Sequence, residues 1–116
     1  MHEASIAYSL LQMLLEIGEK EGAREIRKAV VKVGKLSGVV PECLSFAFDA
    51  MKTEYSKTEN TRLVIVEVPL TYLCRRCGKS FTREDFIFPE CPFCSSAETE
   101  LIKGEELDLE EVECEV

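Results

Sequence analysis

Cys74-Arg75-Arg76-Cys77 and Cys91-Pro92-Phe93-Cys94 decide how the chain divides. Each is a CxxC pair, and thirteen residues separate them. A two-residue gap lets both thiolates of a pair turn toward one ion while the N–H groups of the turn point at sulfur. Two such knuckles close a tetrahedral S4 shell, the arrangement Zn(II) takes in structural sites. Gly78 permits the positive φ that a knuckle exit needs, whereas Ser95 stands where the second knuckle lacks a glycine. Arg75, Arg76, Lys79 and Arg83 lie near enough in sequence to offset the surplus negative charge of four thiolates on one divalent ion. With four protein ligands the zinc has no open position, so its expected role is structural. Iron is the rival occupant, since the same shell accepts it. Disulfides are the weaker reading, because a cytosolic chain keeps such pairs reduced.

Working outward, residues 63–68 read as a strand that Pro69 stops or confines to an edge. Before it, Pro41 suits the first position of a helix whose apolar face is Leu44, Ala47/Phe48, Met51 and Tyr55. Ser37-Gly38 is a turn, and residues 26–33 form a β-branched strand ending near Leu36. Ile6, Leu10, Met13/Leu14 and Ile17 fall at helical spacing and predict an amphipathic helix closed by Gly18 or Gly22. Past the cysteines come 99–103, a turn at Gly104, and the alternating Leu107-Asp108-Leu109. The alternation slips by one at Glu110-Glu111 and resumes as Val112, Cys114 and Val116, which predicts a β-bulge. The expected fold is α+β: two helices packed on a small three-stranded sheet, with an inserted zinc-ribbon-like module. The expected division is an α+β domain from 1–70 plus 104–116, and a zinc-binding module over 71–103. Cys43 and Cys114 lie outside the pairs and are expected to be small buried hydrophobes.

The chain has 116 residues and a net charge of −8, of which residues 104–116 hold seven acids and no base. Nothing in it offers the basic face that a phosphate backbone requires, so no nucleic-acid contact is expected. The acidic end reads as a strand edge kept soluble by charge. No apolar run is long enough for a membrane span, and no signal peptide is recognisable, so a cytoplasmic protein is expected. One histidine excludes His-triad metal sites, and there is no Walker loop, GxGxxG or nucleophile elbow. The sequence does not read as an enzyme.

That one histidine is His2. Its size disfavours removal of Met1, so the amine of Met1, the His2 amide and the His2 imidazole stand in a row as nitrogen donors. They close adjacent chelate rings that force a planar arrangement, suited to Ni(II) and Cu(II) and unsuited to tetrahedral zinc. Glu3, or an acid from elsewhere, could fill a fourth position. From these residues alone two readings stand: a planar metal chelate, or simply the second residue of a soluble protein.

Met1-His2-Glu3 opening an amphipathic helix, about seventy residues of α+β pattern, then Cys74-x2-Cys77-x13-Cys91-x2-Cys94 and a final strand: together this resembles the HypA family of hydrogenase nickel-incorporation proteins. The likeness spans the whole chain. It implies a nickel metallochaperone, with His2 and Glu3 in the nickel site and Cys74, Cys77, Cys91 and Cys94 binding structural Zn(II). It implies delivery of Ni(II) as cargo for the [NiFe] hydrogenase large subunit, with a HypB-type GTPase as partner and urease as a further recipient in some bacteria. The inserted module or the first helix is the expected contact for the GTPase, and a monomer or homodimer is compatible with it. Some members add an acidic side chain from the start of the second helix, where the nearest acid here is Glu42. Others carry histidines beside the zinc cysteines; this chain has none, so no pH-sensing role is implied. The rival readings are a zinc-ribbon protein-interaction module without nickel transfer and a rubredoxin-like electron carrier.

Overall fold

The computed structural model describes residues 3–84 and 90–116. The elements run α1 (Glu3–Lys20), β1 (Glu25–Gly34), α2 (Pro41–Lys52), β2 (Arg62–Val68), β3 (Leu70–Cys74), β4 (Ser80–Arg83), β5 (Thr99–Lys103) and β6 (Leu107–Glu115). They form two three-stranded sheets, ordered β2-β1-β6 and β4-β3-β5. The fold is α+β, with both helices on the first sheet and the paired cysteines on the second.

Helix α1 buries Ile6, Ala7, Leu10, Leu11, Leu14 and Gly18, one face at a spacing of three and four. Its end is chemically specified. Gly22 takes φ +64°, Ala23 N–H bonds the Gly18 carbonyl at 2.8 Å, and Gly22 N–H bonds that of Glu19 at 3.2 Å. This is the Schellman pattern, and it satisfies carbonyls that the helix leaves unpaired. Helix α2 starts at Pro41 as expected but stops at Lys52, short of Tyr55. A polar stretch takes over there: the Thr58 hydroxyl donates to the Lys52 carbonyl at 2.8 Å, and the Thr61 hydroxyl donates to the Ile26 carbonyl at 2.6 Å. Both threonines are fully buried, so they fasten the return to β2.

Strand β1 pairs with β2 in parallel, through the α2 crossover, and with β6 in antiparallel. The expected bulge is present. Val30 lies opposite Glu111 and Val31 opposite Leu109, which leaves Glu110 as the extra residue. Leu107 and Leu109 before it, and Val112 and Cys114 after it, all reach the core in consequence. A second bulge leaves out Arg27 on β1, between the pairs Ile26–Cys114 and Lys28–Glu113. It explains why Ile26 and then Ala29, Val31 and Val33 are buried, an odd step in an otherwise alternating strand. The acidic edge is matched across the ladder: Lys28 reaches Glu111 and Glu113, Lys32 reaches Glu110, and Arg24 reaches Glu115. Such exposed pairs contribute about 0–1 kcal/mol each, so they set solubility and register more than stability.

One expectation fails. Cys43 is exposed, because the inward face of α2 is Leu44 and Phe48, and Cys43 lies one position off that stripe. Cys114 is half-buried against the core, in phase with Val112.

The radius of gyration is 17.8 Å and the extents are 54 × 25 × 16 Å. A chain of this length folded into one sphere would have a radius of about 13 Å, so the molecule is elongated into two lobes. Each lobe has its own core. Twelve buried residues lie between the helices and the first sheet, and five (Leu70, Tyr72, Cys74, Phe81, Cys91) belong to the second. Among the described residues no helix is long and apolar enough to cross a membrane.

Candidate metal centre

The two CxxC pairs become two knuckles of the same construction. Cys74 ends β3, and its N–H donates to the Lys79 carbonyl at 2.9 Å while Gly78 N–H donates to the Cys74 carbonyl at 2.9 Å. In the second knuckle Cys91 N–H donates to Ser96 at 2.9 Å and Ser95 N–H to Cys91 at 2.8 Å. Gly78 stands at φ +76°, and Ser95 takes the matching place at φ +62° although it is not a glycine. A side chain in that region costs on the order of 1 kcal/mol. Ser95 is exposed and has little packing to lose, so Ser95→Gly is expected to stabilise the second lobe by about 1 kcal/mol. Thermal unfolding followed by an amide in β3 checks this, and a loss of stability would mean that the serine side chain has a role of its own.

The knuckles face each other. Cys74 Sγ lies 3.6 Å from Cys94 Sγ, Cys77 Sγ lies 3.6 Å from Cys91 Sγ, and all four sulfurs fall within 4.8 Å of one another. A zinc–sulfur bond of about 2.3 Å in a tetrahedron puts sulfurs about 3.8 Å apart, so the donors fit one ion. Cys74 and Cys91 are buried and Cys77 and Cys94 exposed.

Electrostatics say the same. The Cys77 N–H, 3.4 Å from Cys74 Sγ, favours the Cys74 thiolate and brings its pKa down to about 6 against some burial. Burial opposes ionisation of Cys91, but the N–H groups of Phe93 and Cys94 outweigh it and hold this thiol below its usual value. At Cys94 the Ser96 N–H favours the thiolate, yet burial and the sulfurs of Cys74, Cys91 and Cys77 together push it up to about 12. Four thiolates this close repel, and a cation at their centre removes the repulsion. Of the neighbouring bases, Arg75 pairs with Glu100, Lys79 Nζ sits 4.8 Å over the Phe93 ring of the second knuckle, and Arg83 donates to the Glu90 carbonyl at 2.6 Å.

Met1 and His2 lie outside the described residues. Glu3 is the first residue of α1, and its Oε2 accepts the Val40 N–H at 3.4 Å. Val40 is the N-cap of α2 and has no side-chain cap of its own. A carboxylate there complements the positive end of a helix, and the contact brings the beginnings of the two helices together. Glu42 stands in the first turn of α2. Among the described residues the four cysteines are the cluster able to hold a metal. The Glu3–Val40 contact was not legible in the sequence, since thirty-seven positions separate the two residues and valine carries no capping signal.

Comparison with known proteins gives a consistent result. A family model described as "Hydrogenase/urease nickel incorporation, metallochaperone, hypA" matches residues 1–114. The hydrogenase maturation factor HypA of Picosynechococcus sp. is 37% identical over 113 residues, covering 97% of this chain and 98% of that protein. Its counterpart in Geobacter metallireducens is 40% identical over 116 residues, with coverage of 99% and 100%. The solution structure of the Ni metallochaperone HypA from Helicobacter pylori superposes with a TM-score of 0.68 at 26% identity, over 99% of this chain and 98% of that one. A second HypA solution structure gives 0.74 at 26% identity, over 98% and 96%. With a match along nearly its whole length, and the four thiols gathered on a second small sheet, the chain belongs to the HypA family of nickel-incorporation metallochaperones for hydrogenase maturation.

Proposed function

We propose that this chain carries Ni(II) as cargo at its amino terminus and holds a resident Zn(II) in its four-cysteine cluster. The nickel donors are the Met1 amine and the His2 amide and imidazole, with Glu3 in support. Cys74, Cys77, Cys91 and Cys94 ligate the zinc, which keeps residues 71–103 folded as a module inserted into a nickel-binding domain of 1–70 and 104–116. The recipient is the [NiFe] hydrogenase large subunit, and a HypB-type GTPase is the partner in transfer. The protein works in the cytoplasm by binding and release rather than by catalysis. What carries this reading is the family match over residues 1–114, which includes Met1-His2-Glu3 as well as both cysteine pairs.

The chemistry suits a carrier. Planar nitrogen donors favour Ni(II), and a site at a chain end has few outer contacts to trap the ion. Affinity cannot separate Ni(II) from Cu(II), which binds such donors more tightly, so selection rests on availability and on partner contacts. The Glu3 carboxylate, the supporting donor, is itself set against the start of α2.

The test is a Ni(II) titration of zinc-loaded protein with an untagged terminus, beside His2→Ala and an N-terminally extended form. Nickel affinity is expected to fall at least a hundredfold in both variants while one zinc per chain is kept. Equal nickel binding in all three proteins would remove the terminal site and leave the zinc-ribbon interaction module as the better reading.

A further inference from the structure

The two lobes are joined by very little chain. Strand β2 ends at Val68 and β3 begins at Leu70, so the outward connection is Pro69 alone. The return runs from Lys103 at the end of β5 to Leu107 at the start of β6, which leaves residues 104–106. Pro69 has a locked φ, and neither connection is long enough to act as a flexible linker.

A third segment braces both crossings. The turn after β1 donates three backbone bonds into them: Gly34 N–H to the Glu106 carbonyl at 2.7 Å, Leu36 N–H to the Gly104 carbonyl at 2.6 Å, and Lys35 N–H to the Val68 carbonyl at 3.1 Å. Gly34 and Gly104 are buried there. A Cβ on Gly34 would collide with the Gly104 carbonyl, and one on Gly104 would lie 2.8 Å from Leu70 Cδ2, in the core of the second lobe. Gly104 also stands at φ +128°, a conformation that favours glycine. Close backbone approach is thus built in on both sides of the contact.

Glu106 completes the arrangement. Its Oε1 accepts the Gly104 N–H at 2.7 Å, across the return connection. Its own N–H, those of Gly104 and Glu105, and the charge of Lys103 hold this carboxyl below the usual carboxylate range despite some burial. It is half-buried, and no metal-binding cluster of the described residues includes it.

We propose that Gly34, Gly104 and Glu106 form a clasp that locks the four-cysteine lobe to the helical lobe in one orientation. The protein then presents its two metal regions to a partner as a single rigid body. The inference is independent of which metals are carried. A partner contacting both lobes would meet a preset geometry, with no entropy cost for ordering one lobe against the other.

The test uses full-length, metal-loaded protein, comparing wild type with Glu106→Ala, Glu106→Gln and Gly34→Ala. Residual dipolar couplings and 15N relaxation report the orientation and tumbling of each lobe, and amide exchange reports the clasp itself. In wild type one alignment tensor is expected to fit both lobes. In Glu106→Ala, exchange at Gly104 and Leu36 should quicken at least tenfold and the lobes should need separate tensors. Glu106→Gln keeps an acceptor oxygen and should recover part of the protection, while Gly34→Ala should loosen the lobes most. Separate tensors in wild type, or unchanged couplings and exchange in Glu106→Ala, would overturn the clasp.

Discussion

Stripping the metal from the cysteine cluster is expected to unfold the second lobe and leave the helical lobe standing. The reason is the size of the two cores. The apolar core of the second lobe is Leu70, Tyr72 and Phe81 with partial help from Leu101; its other two members are the cysteines Cys74 and Cys91. A unit of thirty-odd residues with so few apolar side chains does not outweigh its own conformational entropy, and small folds of this kind depend on a metal or on disulfides. The Tyr72 and Phe81 rings stack with centroids 5.7 Å apart, an addition of about 1 kcal/mol that does not change the conclusion. Structural zinc, by contrast, contributes an apparent 10–16 kcal/mol or so in comparable peptides near neutral pH. Without the ion nothing balances the repulsion between neighbouring thiolates, so the knuckles lose what draws them together. The helical lobe has an apolar core of twelve buried residues, none of them in the cysteine cluster. With a strong chelator, the amide signals of β3, β4 and β5 should collapse toward random-coil positions while those of α1, α2 and β1 hardly move. Acid should do the same, because thiols must lose their protons to bind, and affinity therefore falls as the pH is lowered. A second lobe that keeps dispersed signals when stripped of metal would mean that its strand pairing suffices by itself.

That contrast bears on how much could be read from the residues in order. Cysteine spacing is a local pattern with one compact geometric solution, and the structure brings Cys74, Cys77, Cys91 and Cys94 together. The slip at Glu110 was legible for a related reason: a strand alternates with period two, so a single phase change leaves a visible trace. Its companion at Arg27 leaves no such trace, because Ile26, Ala29, Val30 and Val31 are all apolar and hide the change of phase. Strand β4 carries no sequence signal either. Its four residues, Ser80 to Arg83, hold one buried side chain and take their conformation from pairing with β3.

The beginning of the helical lobe was harder still. Tyr55 continues the apolar spacing of α2, yet the helix ends where Thr58 satisfies a terminal carbonyl, and that bond depends on the path of a loop. Cys43 is exposed although cysteine is commonly buried, because helix phase and not residue type decides the matter. The clasp between the lobes could not be foreseen either. It depends on Gly34 meeting Gly104 across seventy positions, and isolated glycines carry no information about what approaches them.

Helix phase also decides the second large effect. Phe46 and Phe48 lie two positions apart on α2, yet Phe46 is 78% exposed and Phe48 0%. Phe48→Ala is expected to cost about 3–5 kcal/mol, the range for removing a buried phenyl ring. Helix α2 contributes only Leu44 and Phe48 as fully buried residues, with Ala47 and Met51 packed beside them. The loss is therefore a large part of what holds α2 to α1, out of a total stability of about 5–15 kcal/mol for a domain. Phe46→Ala should change stability by no more than about 0.5 kcal/mol. Urea unfolding followed by helical circular dichroism separates the two: the midpoint drops for Phe48→Ala at an unchanged slope and barely moves for Phe46→Ala. Cysteine-bound metal should be retained in both, since neither ring reaches the second core. The consequence for nickel follows from the same packing. Val40 leads α2 and meets Glu3, so a loosened α2 releases this supporting donor of the proposed site, and nickel affinity should weaken while the cysteine cluster keeps its metal. Should Phe46→Ala prove the costlier change, the exposed ring must be covered in solution, and the outer face of α2 would be a contact surface rather than a solvated one.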